Sequence, residues 1–175
     1  MKVSNTINQK SSINHLETLK LLENIKEVEE VGYTVIPPEK VASEEQRKNI
    51  LNTILKIAEK KTGNVLDLSE NTNSGKYKAI PQTESQFVLY SLLFEDPIFE
   101  KWLMNEVIIS LSSYFLNNQA QLSSMSSFIK WKGKNYKTAM GLHADTQPSP
   151  NNKLPTQWVD ACNSVYCLTD YTKKD

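Results

Sequence analysis

The sequence predicts an α+β fold in which helices come first and strands follow. Apolar residues recur every three or four positions as far as Asn118, whereas beyond it short β-prone segments alternate with turns rich in Gly, Asn and Pro. No internal repeat or heptad run competes with that order. At 175 residues the chain is long enough to bury a core. Its 20 Lys and Arg balance 20 Asp and Glu, so no net field draws in nucleic acid or an anionic membrane, and neither is an expected partner.

Residues 1–13 read as a flexible polar tail and 14–175 as a single domain, with a helical layer over about 14–118 and a sheet layer over about 119–175. The tail lacks the apolar run of a secretory signal, and no later stretch approaches the roughly 18 apolar residues of a membrane span. A soluble, cytoplasmic protein is expected. Asn14 with Glu17 forms a capping-box pattern, after which Leu16, Leu19, Leu22, Ile25 and Val28 follow helical spacing up to a stop at Gly32. Tyr33-Thr-Val-Ile36, closed by Pro37-Pro38, reads as a strand. A second capping box, Ser43 with Gln46, opens a helix carrying Ile50, Leu51, Ile54, Ile57 and Ala58, with Lys60 and Lys61 in its last turn and Gly63 beyond.

Asn64 to Lys78 has surface-loop composition, and Gln82 to Leu93 is expected to be helical. Asp96-Pro97 restarts a helix presenting Phe99, Trp102, Leu103, Val107, Leu111 and Phe115, a stripe expected in the core. Ser127 to Trp131, Ala139 to His143 and Cys162 to Leu168 are the expected strands, and Gln147 to Pro155 is a long connection between two of them. Cys162 and Cys167 have no second pair to complete a zinc site, so two free thiols are expected.

The chain contains only two histidines, His15 and His143. In Gly141-Leu-His-Ala-Asp-Thr146, His143 and Asp145 stand two apart, which on an extended strand sends both side chains from one face. An imidazole and a carboxylate so placed are two members of the two-histidine, one-carboxylate triad that binds iron(II) and leaves positions open. Taken alone the pattern is common, and a structural histidine beside a solvated aspartate competes with it. His15 lies in a polar stretch ahead of the first expected helix and reads as exposed.

The wider context sharpens this reading. Gly141-Leu-His-Ala-Asp-Thr-Gln-Pro148, Leu154-Pro155, Trp158 and Ala161-Cys-Asn-Ser-Val-Tyr-Cys-Leu-Thr-Asp-Tyr-Thr172 together resemble the phytanoyl-CoA dioxygenase family of iron(II)- and 2-oxoglutarate-dependent oxygenases. In that family a Leu-His-x-Asp strand end precedes a proline-bearing loop and a strand ending in Leu-Thr-Asp-Tyr-Thr or a close variant. Gly32-Tyr-Thr-Val-Ile-Pro37 is similar to the family's first strand. The resemblance implies a double-stranded β-helix, a cupin-like jelly-roll barrel with helices packed outside it. It implies His143 and Asp145 as ligands of Fe(II), 2-oxoglutarate as co-substrate, and dioxygen and a small molecule as partners in a hydroxylation. The carboxylate at 145 argues for hydroxylation, because related halogenating enzymes have Gly or Ala there.

The family's second histidine and its 2-oxoglutarate-binding arginine fall on later strands, which this chain does not contain. The jelly roll is therefore expected to be incomplete, and the chain reads as the N-terminal part of an oxygenase that is inactive by itself. Lys130 and Lys132 stand where related enzymes place polar residues near 2-oxoglutarate, and Asn163 falls on a pocket-lining strand, so all three are candidate co-substrate contacts. Two solvated lysines on an edge strand and a strand asparagine bonded to backbone are the alternatives. At the level of function the alternatives are a metal-free jelly-roll binding or scaffold protein and an interaction fragment defined by its helices.

Overall fold

In the computed structural model, which describes residues 13–63, 65, 86–130, 159 and 161–170, the first helix stops where the sequence predicts it to run on. Helix α1 (13–18) ends in a turn with Lys20 left-handed at φ 56°. The Lys20 N–H donates to the Glu17 carbonyl at 2.9 Å, and the Leu21 N–H donates to the Leu16 carbonyl, also at 2.9 Å. These are the two bonds of a Schellman stop, normally built on glycine. In an unbroken helix Leu16 and Leu21 would lie about 140° apart around the axis. The turn instead lets both enter one apolar cluster, at 1% and 0% exposure, and Leu22 is left exposed. Asn14 is not a cap, since the helix is already formed at residue 13; its carbonyl accepts from Thr18 Oγ1 at 3.0 Å.

Helix α2 (Leu22–Val31) ends at Gly32 as the sequence predicts, with φ 86° and the Gly32 N–H donating to Val28 at 2.8 Å. Residues 33–37 then run as irregular chain, with no ladder partner among the described residues, rather than as the expected strand. The one-turn helix α3 (Pro38–Val41) leads into α4 (Glu44–Thr62), which buries Ile50, Ile54 and Ala58 at intervals of four. Lys48 bonds Glu44 at 2.6 Å and, by that hydrogen bond first and its charge second, holds the Glu44 carboxyl below its ordinary pKa. Gly63, at φ 68°, closes α4 with a bond to the Glu59 carbonyl at 2.8 Å.

The helix expected over Gln82 to Leu93 is not found at Gln86–Leu89, which form strand β1. It pairs antiparallel with β2 (Ser127–Lys130), in the register Phe87 to Ile129 and Val88 to Phe128. Consecutive Phe87, Val88 and Leu89 are all buried. A strand sends such neighbours to opposite covered faces, whereas one helix face cannot take all three. Ser91, left-handed at φ 56°, separates β1 from a single 3-10 turn at Leu92–Phe94.

The helix begun at Asp96 also divides, into α5 (Ile98–Leu103) and α6 (Glu106–Phe115). Asp96 caps α5 by accepting the Ile98 N–H at 2.8 Å. Asn105 caps α6 by accepting the Ile108 N–H, and its side-chain amide donates to the Val41 carbonyl at 2.8 Å, tying α6 to α3. Phe99, Trp102, Val107 and Leu111 are buried as the stripe predicts. Residues 161–168 carry no helix or strand, so the strand expected over Cys162 to Leu168 is not formed by its backbone. The expected strand over Ala139 to His143 and the long connection over Gln147 to Pro155 lie outside the described residues, as do the polar tail before residue 13 and nearly all of the loop over Asn64 to Lys78.

Helices with a small antiparallel sheet make the fold α+β. Two compact units divide the chain, one from Met1–Ser43, Lys101–Gln121 and Ala144–Val165, the other from Glu44–Glu100, Leu122–His143 and Tyr166–Asp175. Each draws on both the helical and the sheet part of the sequence. The first is centred on Leu16, Leu21, Ile25, Val107 and Leu111, with Leu19, Ile36, Val41, Tyr114 and Phe115 packed against them. The second contains the β1–β2 pair and the buried face of α4. No described helix is long and apolar enough to cross a membrane.

The two left-handed stops at Lys20 and Gly32 predict opposite responses to substitution. Nothing lies within 4 Å of a Cβ added at Gly32, so Gly32→Ala feels only the backbone and should cost about 1 kcal/mol. Lys20→Gly should stabilise by a similar ~1 kcal/mol. Urea unfolding of the two variants measures both, and a loss of stability in Lys20→Gly contradicts the turn.

Candidate functional site

Of the residues singled out by sequence, Lys130 and Asn163 are described, and His143, Asp145 and Lys132 lie outside the described residues. Lys130 closes β2 on the exposed face that it shares with Phe128, while Ser127 and Ile129 take the more covered one. Asn163 is exposed in a stretch without regular structure. The two belong to different units, so each stands on its own surroundings.

His15, expected ahead of the first helix, lies inside α1. Its Nε2 is 3.3 Å from Glu106 Oε1 in the first turn of α6, and both side chains are exposed. That contact gives the imidazole a structural partner within the first unit. Among the described residues no three His, Cys, Asp or Glu side chains gather into a metal-binding group. Cys162 and Cys167 are free thiols, as the sequence predicts, and Ser112 Oγ lies 3.9 Å from Cys162 Sγ.

Two tyrosines have perturbed hydroxyls. Burial, together with the charge of Glu29 and the 3.3 Å hydrogen bond that Tyr114 donates to it, raises the Tyr114 pKa. Tyr166, two residues ahead of Leu168-Thr-Asp-Tyr-Thr172, is half-buried, and desolvation pushes its hydroxyl up to about 12. Neither position stood out from composition or spacing. Tyr166 stands between exposed Val165 and exposed Cys167, and only the fold shows that its ring is sheltered. Asn105 was equally hidden, although an Asn followed by Glu and two β-branched residues is an N-cap signal in its own right.

Comparison with known proteins adds no family: no family model, no curated protein and no solved structure matches the chain.

The raised Tyr166 pKa makes stability depend on alkaline pH. A phenol that ionises at about 12 when folded and near 10 when unfolded stabilises the fold fully below pH 10. That contribution is lost as pH rises from about 10 through about 12. Titration of tyrosinate absorbance should show late ionisation that falls by one group in Tyr166→Phe; an unchanged titration curve in that variant contradicts the assignment.

Proposed function

We propose that this chain is part of an iron(II)- and 2-oxoglutarate-dependent oxygenase that hydroxylates a small molecule, with His143 and Asp145 as two of three metal ligands. The observation that carries the reading is the joint occurrence of Leu142-His-Ala-Asp145, a proline-bearing stretch, and Leu168-Thr-Asp-Tyr-Thr172 in that order. Helices with one antiparallel strand pair, β1 falling between α4 and α5, agree with the α+β class that the reading requires. The finer architecture is part of the proposal.

The donor chemistry fits the metal in part. One imidazole nitrogen and one carboxylate oxygen suit iron(II), and a facial triad needs one further donor. His15 has Glu106 as its partner in the first unit, so it is not taken as the third donor. When bound, the metal would supply the site at which 2-oxoglutarate chelates and dioxygen is reduced. The chain's own residues would hold and orient the ligands, and Lys130, Lys132 or Asn163 would offset or hydrogen-bond the co-substrate's carboxylates. A scaffold protein without metal is the competing reading.

With two donors in place, the chain should bind Mn(II), a redox-inert stand-in for iron(II), weakly, and added 2-oxoglutarate should tighten the binding by completing the coordination. His143→Ala and Asp145→Ala should each abolish that co-substrate effect, and His15→Ala should leave it intact. Electron paramagnetic resonance of free Mn(II) reads all four proteins. Binding that survives both substitutions at 143 and 145 contradicts the ligand pair and favours the scaffold reading.

A further inference from the structure

We propose that Asn163 is a self-modifying site, at which Asn163-Ser164 closes to a succinimide with loss of ammonia and water then opens the ring to aspartate or isoaspartate. In the closing step the Ser164 main-chain nitrogen bonds to Asn163 Cγ and gives its proton to solvent. The side-chain amide nitrogen takes up a proton and leaves as ammonia. Water then adds to either ring carbonyl, which leaves a carboxyl group on the side chain or, with the main chain rerouted through Cγ, on Cα. No electron transfer or cofactor is involved.

Such a closure needs an unengaged N–H on the following residue, freedom to turn the asparagine ψ, and little bulk on the residue that follows. The described asparagines differ on each count. Asn24 lies in α2, and Asn49 and Asn52 lie in α4, where a helix holds ψ at about −42° and commits the next N–H to a carbonyl. The Ile25 N–H, for example, donates to the Leu21 carbonyl at 3.1 Å. All three precede a β-branched residue, Ile25, Ile50 or Thr53, which crowds the attacking nitrogen. Asn105 is pinned by its bonds to Ile108 and Val41. Asn117 and Asn118 precede N–H groups already donated to the Ser113 and Leu116 carbonyls. Asn14 sits within α1, ahead of His15.

Asn163 is the contrasting case. Residues 161–165 are all exposed and carry no helix or strand. Among the described residues, the Ser164 N–H makes no backbone hydrogen bond, so the attacking nitrogen is not committed elsewhere. Ser164 is also the smallest residue to follow any described asparagine. Conversion replaces a neutral amide by a carboxylate in a chain whose formal charge is 0, so the product is an acidic form that ion exchange separates.

The test is to incubate the whole chain in mildly alkaline buffer and follow each asparagine by peptide mapping with mass spectrometry. The peptide holding Asn163 should gain the mass of an amide-to-acid conversion and split into two products, aspartate and isoaspartate, ahead of the peptides holding Asn24, Asn49 and Asn52. Ser164→Val, at an exposed position, should slow the conversion several-fold by crowding the nitrogen. In urea the helical asparagines should accelerate, whereas Asn163, already in irregular chain, should change little. The proposal is overturned if Asn163 keeps its amide while a helical asparagine converts, if Ser164→Val converts as fast as the parent, or if urea accelerates Asn163 as strongly as it does the helical positions.

Discussion

The first unit depends on the reversal at Lys20. A 6→1 bond from Leu21 to Leu16 ends α1 and lets two leucines five positions apart share one core. Ile25 reaches the cluster because α2 restarts immediately after the turn, and Val107 and Leu111 of α6 complete it. Truncating a fully buried leucine of this kind typically removes about 2–5 kcal/mol, a large share of the stability of a small domain. The left-handed backbone of a lysine is a modest cost by comparison, on the order of 1 kcal/mol.

The polar contacts of the unit follow the same frame. Asn105 caps α6 and reaches the last carbonyl of α3, so one side chain fixes both the start of a helix and its neighbour. Tyr114 and Phe115 meet edge to face at 5.2 Å, and Tyr114 extends its hydroxyl to Glu29 on α2. His15 and Glu106 add a contact between α1 and α6 at the surface. Exposed pairs of this kind contribute little to stability beside the leucine cluster.

Much of the helical part is legible in the sequence, because its signals are local. Gly32 and Gly63 stop helices in the left-handed region, Asp96 caps α5, and the stripe from Phe99 to Leu111 is buried. The breaks at Lys20 and at Met104-Asn105 were hidden because apolar spacing continues across them, and neither carries a glycine or proline. The sequence predicts helix where strand β1 forms for a related reason. Phe87, Val88 and Leu89 form an apolar run too short for periodicity to decide, and the pairing partner lies some forty residues away. The candidate site is the opposite case: His143 and Asp145 are legible only as a motif, and of the proposed co-substrate contacts the fold places Lys130 on an exposed strand face and Asn163 in an irregular, exposed stretch.

The scarcity of histidine makes the central claim unusually direct to examine. With only His15 and His143 in the chain, a long-range proton–nitrogen NMR spectrum of the imidazoles contains two sets of signals, one of which disappears in His15→Ala. On addition of Zn(II), a diamagnetic stand-in for iron(II), the account predicts that the His143 set moves and the His15 set stays in place. Movement of the His15 signals alone, or of neither set, would contradict the assignment of His143 and Asp145 as a metal-binding pair.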